Sequence, residues 1–319
     1  MQNTYYRNYS QYLKERFGQK VYRICLDAGF SCPNRDGTLG VDGCAYCADY
    51  GSWGGRGKRE SLERQVDLEV RRVSQRYGAL KYIAYFQAYT NTYAPAERLK
   101  EIYDTALATC NDIVGLAIGT RPDCVDEKKL RIIAGYKKAG YEVWIEYGLQ
   151  SANDRTLKRI GRGHGVRAFR NAVLMTVGYD IPVTAHVIIG LPGENRSDIV
   201  ATAKFLAGLP IHGIKIHNLN IVSGTRMEEW YRSGMVKPLD LDEYADLVVD
   251  FLERISPDVV IERLVADTPS RFLVAPGWNA NKQAAIRRII ERFEQRRSFQ
   301  GKLFHQDFHQ EQVREEDTA

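Results

Sequence analysis

"VYRICLDAGFSCPNRDGTLGVDGCAYC" (Val21–Cys47) runs an alternating apolar stretch straight into a loop with three cysteines. Val21–Gly29 has the period of a strand. Gly29–Cys47 then packs three cysteines, four glycines and one proline into nineteen residues. Cys44 and Cys47 form a C-x-x-C, and Cys32 lies upstream across the insert "PNRDGTLGVDG". Three thiols are one short of a structural zinc site and one too many for a disulfide.

Outward from this loop, strand and helix alternate. Ser61 is an N-cap for a helix carrying Leu62, Val66, Val70, Val73 and Tyr77 on one face, stopped at Gly78. "KYIAYF" (81–86) predicts a strand, Pro95 opens a helix, and "DIVGLAIG" (112–119) predicts the next strand. Asp126 caps a helix closed at Gly140. "YEVWIEYG" (141–148), "PVTAHVIIG" (182–190), "GIKIHNLNI" (213–221) and "DVVIERL" (258–264) continue the strands. Helices are expected over 153–160, 166–177, 197–208, 240–255 and 281–297.

Such alternation means a parallel sheet covered by helices. Six or seven units suit an α/β fold built as a partial (β/α)6 TIM-like barrel with a C-terminal helical extension. Residues 1–20 form an N-terminal extension, 21–265 the barrel, and 266–319 a basic helix and charged tail. Ligands of such sheets sit at the carboxyl ends of the strands, and the cysteine loop follows the first strand.

The chain of 319 residues is 44% hydrophobic and 27% charged, ordinary for a globular protein. A net charge of +5 permits an acidic partner without demanding one. The polar N-terminus has no signal-peptide core, and no stretch approaches the roughly twenty apolar residues of a membrane span. A cytoplasmic protein without membrane contact is expected, where a cysteine cluster points to metal or catalysis. Cys25, Cys110 and Cys124 read as small buried side chains.

Three chemistries fit the loop. Zinc would need a fourth ligand, and Cys25 sits inside a strand whose alternation points it away. A redox C-x-x-C stands alone at a helix start, without a third cysteine. A cubic iron–sulfur cluster on three thiolates leaves one iron open to a small molecule.

The loop resembles that of the radical S-adenosylmethionine enzymes, specifically the YhcC/YtqA-type subgroup. "GFSCPNRDGTLGVDGCAYC" is similar to that subgroup's widened motif; the usual loop is C-x-x-x-C-x-x-C, and the wider gap is also similar to the catalytic subunit of Elongator. The resemblance spans about residues 20–265. It implies the radical S-adenosylmethionine type of barrel. It also implies a 4Fe-4S cluster on Cys32, Cys44 and Cys47, with S-adenosylmethionine on the open iron, split to a 5′-deoxyadenosyl radical. Tyr46 fits the aromatic before the last cysteine. In "AYFQAYTNTYAP" the family's glycine turn is missing, so the methionine amino group falls loosely to Gln87, Tyr89, Thr90 and Asn91. "WIEYGLQS" implies cofactor contacts from Glu146, Gln150 and Ser151. "NDRTLKRIGRGHG" offers Arg162 to the methionine carboxylate, where a planar guanidinium fits. "IIGLPGE" resembles the turn that backs the adenine. His164, His186 and His217 read as satisfied interior or rim histidines.

The substrate is less legible. Lys282, Arg287, Arg288, Arg292, Arg296, Arg297 and Lys302 give the last helix a basic face: a solvated cover, or a surface for phosphates. Tyr82, Tyr85, Tyr89 and Tyr93 near the mouth either pack or stack on a base. The resemblance implies tRNA as partner and conversion of a carboxymethylaminomethyl group on the wobble uridine to aminomethyl. It also implies an electron donor such as flavodoxin or ferredoxin. The alternatives are a radical enzyme acting on a protein or small metabolite, and a non-catalytic zinc or nucleic-acid-binding module.

Overall fold

The computed structural model describes residues 5–48 and 60–304. Helix α1 (Tyr9–Phe17) precedes strand β1 (Val21–Leu26). Then follow α2 (Leu62–Tyr77), β2 (Lys81–Phe86), α3 (Ala96–Thr109), β3 (Ile113–Thr120), α4 (Glu127–Lys138) and β4 (Glu142–Gln150). After β4 come α5 (Asp154–Arg159), α6 (Val166–Gly178), β5 (Val183–Ile189), α7 (Arg196–Ala207) and β6 (Gly213–Asn218). The chain continues with β7 (Ile221–Val222), α8 (Arg226–Arg232), α9 (Leu241–Leu252), β8 (Val260–Arg263), β9 (Leu273–Ala275) and α10 (Lys282–Gln295).

Seven strands form one parallel sheet in the order β1-β2-β3-β4-β5-β6-β8. Both faces are covered, so β2 and β4 are buried almost end to end. The expected caps are in place: the side chains of Ser61 and Asp126 accept the N–H groups of Arg64 and Lys129. Asn195 and Asp240 close full capping boxes at α7 and α9. The strand expected over 213–221 splits. It stops at Asn218, whose side chain turns to Asn220 and to the backbone of Ala266, and β7 pairs antiparallel with β9 instead.

The sheet curls into a barrel that is not closed by a backbone ladder. β1 and β8 are its two edges, yet Arg23 Nη1 of β1 lies 2.6 Å from Glu262 Oε2 of β8. The N-terminal segment covers this seam. Asn8 pairs with Ile261, and the Ile261 N–H donates to the Arg7 carbonyl at 2.7 Å. Tyr5 stacks on Phe293 of α10, joining the N-terminal segment to that helix.

The basic helix α10 lies on α9, and its arginines face acids. Arg288 bonds Asp242, Arg292 Nε lies 3.4 Å from Asp246, and Arg296 Nη2 lies 2.7 Å from Asp250 and 2.9 Å from Glu253. Three of the basic residues expected on a solvated face are therefore spent on a helix–helix contact, while Arg287, Arg297 and Lys302 stay exposed. The charged tail 309–319 lies outside the described residues.

Candidate active site at the carboxyl ends of the strands

The cysteine loop is a folded structure of its own. The Cys32 carbonyl accepts the N–H groups of Arg35 (2.8 Å) and Asp36 (3.2 Å), and the Gly43 N–H returns to the Asn34 carbonyl at 2.8 Å. The eleven-residue insert thus bonds to itself. Arg35 reaches back to the carbonyls of Cys47 and Ala48. Two helices hold the loop from outside: the Ala45 N–H donates to Ile160 after α5, and the Met227 N–H of α8 donates to Ala45.

Cys44 is buried, and two donors aim at its sulfur. Asn34 Nδ2 lies 3.5 Å away and Arg162 Nη1 lies 3.7 Å away. Burial alone would raise this thiol; the charge and hydrogen bond of Arg162, with Arg121 behind, outweigh it and hold Cys44 below the usual range. Cys47 has no such surplus of cations. Burial and the neighbouring Cys44 push it up to about 11. Tyr46 is packed beside Cys44, and burial keeps its hydroxyl protonated.

Arg162 is the hub. Its Nη2 donates to the Gly148 carbonyl at 2.8 Å, while its own carbonyl accepts from Arg121 and Asn34. A Cβ at Gly148 would lie 2.5 Å from Arg162 Nη2, so the strand must be bare there. Gly163 has a left-handed φ of 76°, and a Cβ on it would lie 2.2 Å from Asn34 Oδ1.

The other expected residues gather on the same rim. Gln87 follows β2, and Tyr89 adopts a left-handed φ of 59° in the turn beyond it. Thr90 Oγ1 and Asn91 Oδ1 are buried with no hydrogen-bond partner among the described residues. Gln150 ends β4 with a φ of 73°, at a break in the register with β5. Strained non-glycine backbone of this kind collects at functional sites. Ser151 is committed: it donates to Glu194 of the "GLPGE" turn and accepts the Asn153 N–H at 3.0 Å.

Glu146 lies deeper, inside the barrel, with no exposed surface. Arg23 Nη1 (2.8 Å), Lys215 Nζ (2.7 Å) and His186 Nε2 (2.7 Å) surround it. Burial opposes its charge, but the cations Arg23 and Lys215, with the hydrogen bond from His186, hold the carboxyl well below the usual range. Lys215 also meets Tyr85 Oη at 2.9 Å. His186 is satisfied as expected. His217 and His164 are not: each Nε2 is buried without a partner among the described residues. Cations are prominent around both rings, Arg263 and Lys215 beside His217, Arg162 and Arg121 beside His164.

Sequence reasoning missed Asn34, Arg121, Arg23, Lys215 and Glu262. For Lys215 a signal was present, a lysine in the middle of the apolar strand "GIKIH".

The comparisons agree with this geometry. Residues 32–206 match the Radical SAM superfamily model, and residues 211–295 match the Radical_SAM C-terminal domain. The chain is 39% identical over 300 residues to the uncharacterized protein YtqA of Bacillus subtilis, covering 94% of this chain and 92% of that one. It is 28% identical over 198 residues to a tRNA uridine(34) acetyltransferase of Dehalococcoides mccartyi, covering 61% of this chain and 41% of that protein. Among solved structures, the archaeal Methanocaldococcus infernus Elp3 with an N-terminal deletion has the same fold. Its TM-score is 0.67 at 17% identity, over 90% of this chain and 67% of that one.

The family's cofactors are a 4Fe-4S cluster and S-adenosylmethionine, and the residues present suit both. Among the described residues, no three His, Cys, Asp or Glu side chains gather closely enough for a single metal ion. A cube takes its thiolates on separate irons. The donors on Cys44 stabilise a thiolate, and the orphaned oxygens of Thr90 and Asn91 are acceptors awaiting a cationic or amino donor. The motif, the fold and the full-length relative converge: the chain belongs to the radical S-adenosylmethionine superfamily, in its YhcC/YtqA-type subgroup.

Proposed function

We propose that this radical S-adenosylmethionine enzyme modifies tRNA at the wobble uridine, converting a carboxymethylaminomethyl group on carbon 5 to aminomethyl. The observation that carries the tRNA reading is the 198-residue match, at 28% identity, to a protein named tRNA uridine(34) acetyltransferase.

When bound, the cluster and S-adenosylmethionine supply an organic radical able to take hydrogen from an unactivated carbon. Cys32, Cys44 and Cys47 hold the cluster, and Asn34 and Arg162 stabilise the Cys44 thiolate. Arg162, at 3.7 Å from that sulfur, also has a buried Nε without a partner, which suits the methionine carboxylate. Thr90 and Asn91 receive the amino group, in a turn shaped by Gln87 and Tyr89. Gln150 and Tyr46 border the nucleoside. Glu146 and Ser151 act through their partners, since both are already engaged. The substrate's glycine-derived methylene would give one hydrogen atom to that organic radical, then one proton to water and one electron to a one-electron acceptor such as an oxidised iron–sulfur cluster, and become an imine. Water hydrolyses the imine to the free amine and an aldehyde acid.

The test is mass spectrometry of tRNA nucleosides from a deletion strain. Carboxymethylaminomethyluridine should accumulate, and complementation should clear it. No accumulation overturns the tRNA reading and leaves a protein or small-metabolite substrate.

A further inference from the structure

The barrel interior balances its charges, with one exception. Arg23 and Lys215 sit on Glu146 and Glu262. Arg263, the last residue of β8, stands in register with Lys215 where the β6–β8 ladder shifts between Ile214 and Lys215. Such bulges re-aim side chains beside active sites. Glu262 and Arg263 are adjacent, yet both serve the interior. Arg263 is half-buried and, among the described residues, makes no hydrogen bond or ion pair with its side chain.

Lys282 is in the same condition. It opens α10, is half-buried, and has no hydrogen bond or ion pair of its own. It was grouped by sequence with the outer basic face, but its charged surroundings are those of the mouth: Arg263 first, then the exposed Asp267, then Lys215. Burial and then Arg263 pull the Lys282 ammonium and the His217 imidazole downward. His217 brings to this corner a buried Nε2 without a partner. Two unpaired cations and an unpartnered imidazole, at the carboxyl end of a barrel strand, are costly for a fold and useful for a ligand.

We propose that Arg263 and Lys282, with His217 beside them, form an anion subsite that holds the carboxylate of the substrate's carboxymethyl arm. The proposal rests on the wobble-uridine reading above. A planar guanidinium suits a carboxylate in two parallel hydrogen bonds, and the ammonium supplies a second charge. The product lacks this carboxylate, so the subsite distinguishes substrate from product and favours release.

The test uses the cluster-loaded enzyme and two tRNAs, one with carboxymethylaminomethyluridine and one with aminomethyluridine at the wobble position. Wild type should convert the first and bind it more tightly than the second by about 10- to 100-fold. Arg263→Met should remove that preference and raise KM by about the same factor, with a smaller change in kcat. Arg263→Lys should restore part of it. Lys282→Met, on the rim, gives a second reading if Arg263→Met does not fold. Conversion by wild type with preference and KM unchanged in the variants overturns the subsite and leaves the wobble-uridine reading intact. An equal loss toward both tRNAs assigns the pair to a backbone phosphate and overturns the carboxylate. No conversion by wild type overturns the wobble-uridine reading, and the assigned ligand with it.

Discussion

Lys215 Nζ lies 2.7 Å from Glu146 Oε2 and 3.5 Å from Glu262 Oε2, and all three side chains are buried inside the barrel. Removing the lysine leaves two carboxylates facing one cation, Arg23, with the His186 imidazole still bonded to Glu146. Lys215→Met should destabilise the protein by about 3–5 kcal/mol, the cost of an uncompensated buried charge. The double variant Lys215→Met/Glu146→Gln should cost less than the sum of its parts, because the charge left behind is smaller. Urea unfolding of the four proteins measures this, and strict additivity would show that the two groups act independently.

Arg162 and Cys44 touch, yet their losses should look different. Cys44→Ala should leave the anaerobically purified protein without its iron–sulfur absorbance and without bound iron. Arg162→Lys should keep the cluster and weaken S-adenosylmethionine binding by about 10-fold or more, since an ammonium cannot serve Gly148, Cys44 and a carboxylate together. Iron analysis and equilibrium dialysis separate the two. Unchanged affinity in Arg162→Lys removes this arginine from the cofactor site, and a colourless wild-type protein with stoichiometric zinc after attempted reconstitution removes the cluster.

Arg296 contacts the nearly inaccessible Asp250 and Glu253, whereas Arg287 on the same helix is exposed. Arg296→Met should cost about 1–3 kcal/mol of stability, while Arg287→Met should cost nothing measurable. Thermal unfolding compares them. If α10 instead binds tRNA through these arginines, Arg296→Met will weaken tRNA binding with stability intact.

Acid should weaken the fold before the carboxylates titrate. Burial lowers the pKa of His186, His212 and His217 in the folded chain. Below about pH 6.5, the unfolded histidine value, the unfolded chain binds protons that the native chain refuses. Stability is therefore full above that value and falls as pH drops below it, by up to about 1.4 kcal/mol per pH unit for each histidine. Unfolding measured from pH 7.5 to 5 should show the slope, and His217→Gln should make it shallower. An identical slope in that variant would show that His217 titrates as freely folded as unfolded.

The barrel and the cysteine loop were legible because both are local. A strand shows its period over six residues, and Cys32, Cys44 and Cys47 lie within sixteen residues of one another. The cluster's environment was legible only in part. Arg162 stands in a recognisable "GRGHG" setting, but Asn34, inside the insert, carries no signal of its own. The interior network was not legible, because Arg23, Glu146, Lys215 and Glu262 come from four strands spread over most of the chain. The pairing of α10 with α9 was missed for a different reason. Arg288, Arg292 and Arg296 repeat every four residues, and so do Asp242, Asp246 and Asp250 on α9. Two matched charge ladders are visible in the sequence once they are laid side by side; a single basic run looks like a surface.

The seam between β1 and β8 sets a schedule for the growing chain. Arg23 and Glu262 are 239 residues apart. At a translation rate of about 5–20 residues per second, the arginine waits roughly 10–50 s on the ribosome for its counter-charge. Until β8 is made, Asn8 has no strand to pair with and the outer edge of β1 is bare, an invitation to misplaced strands that chaperones must cover. A chain cut short before Val260 is left as an open trough, however well its first six strands have formed.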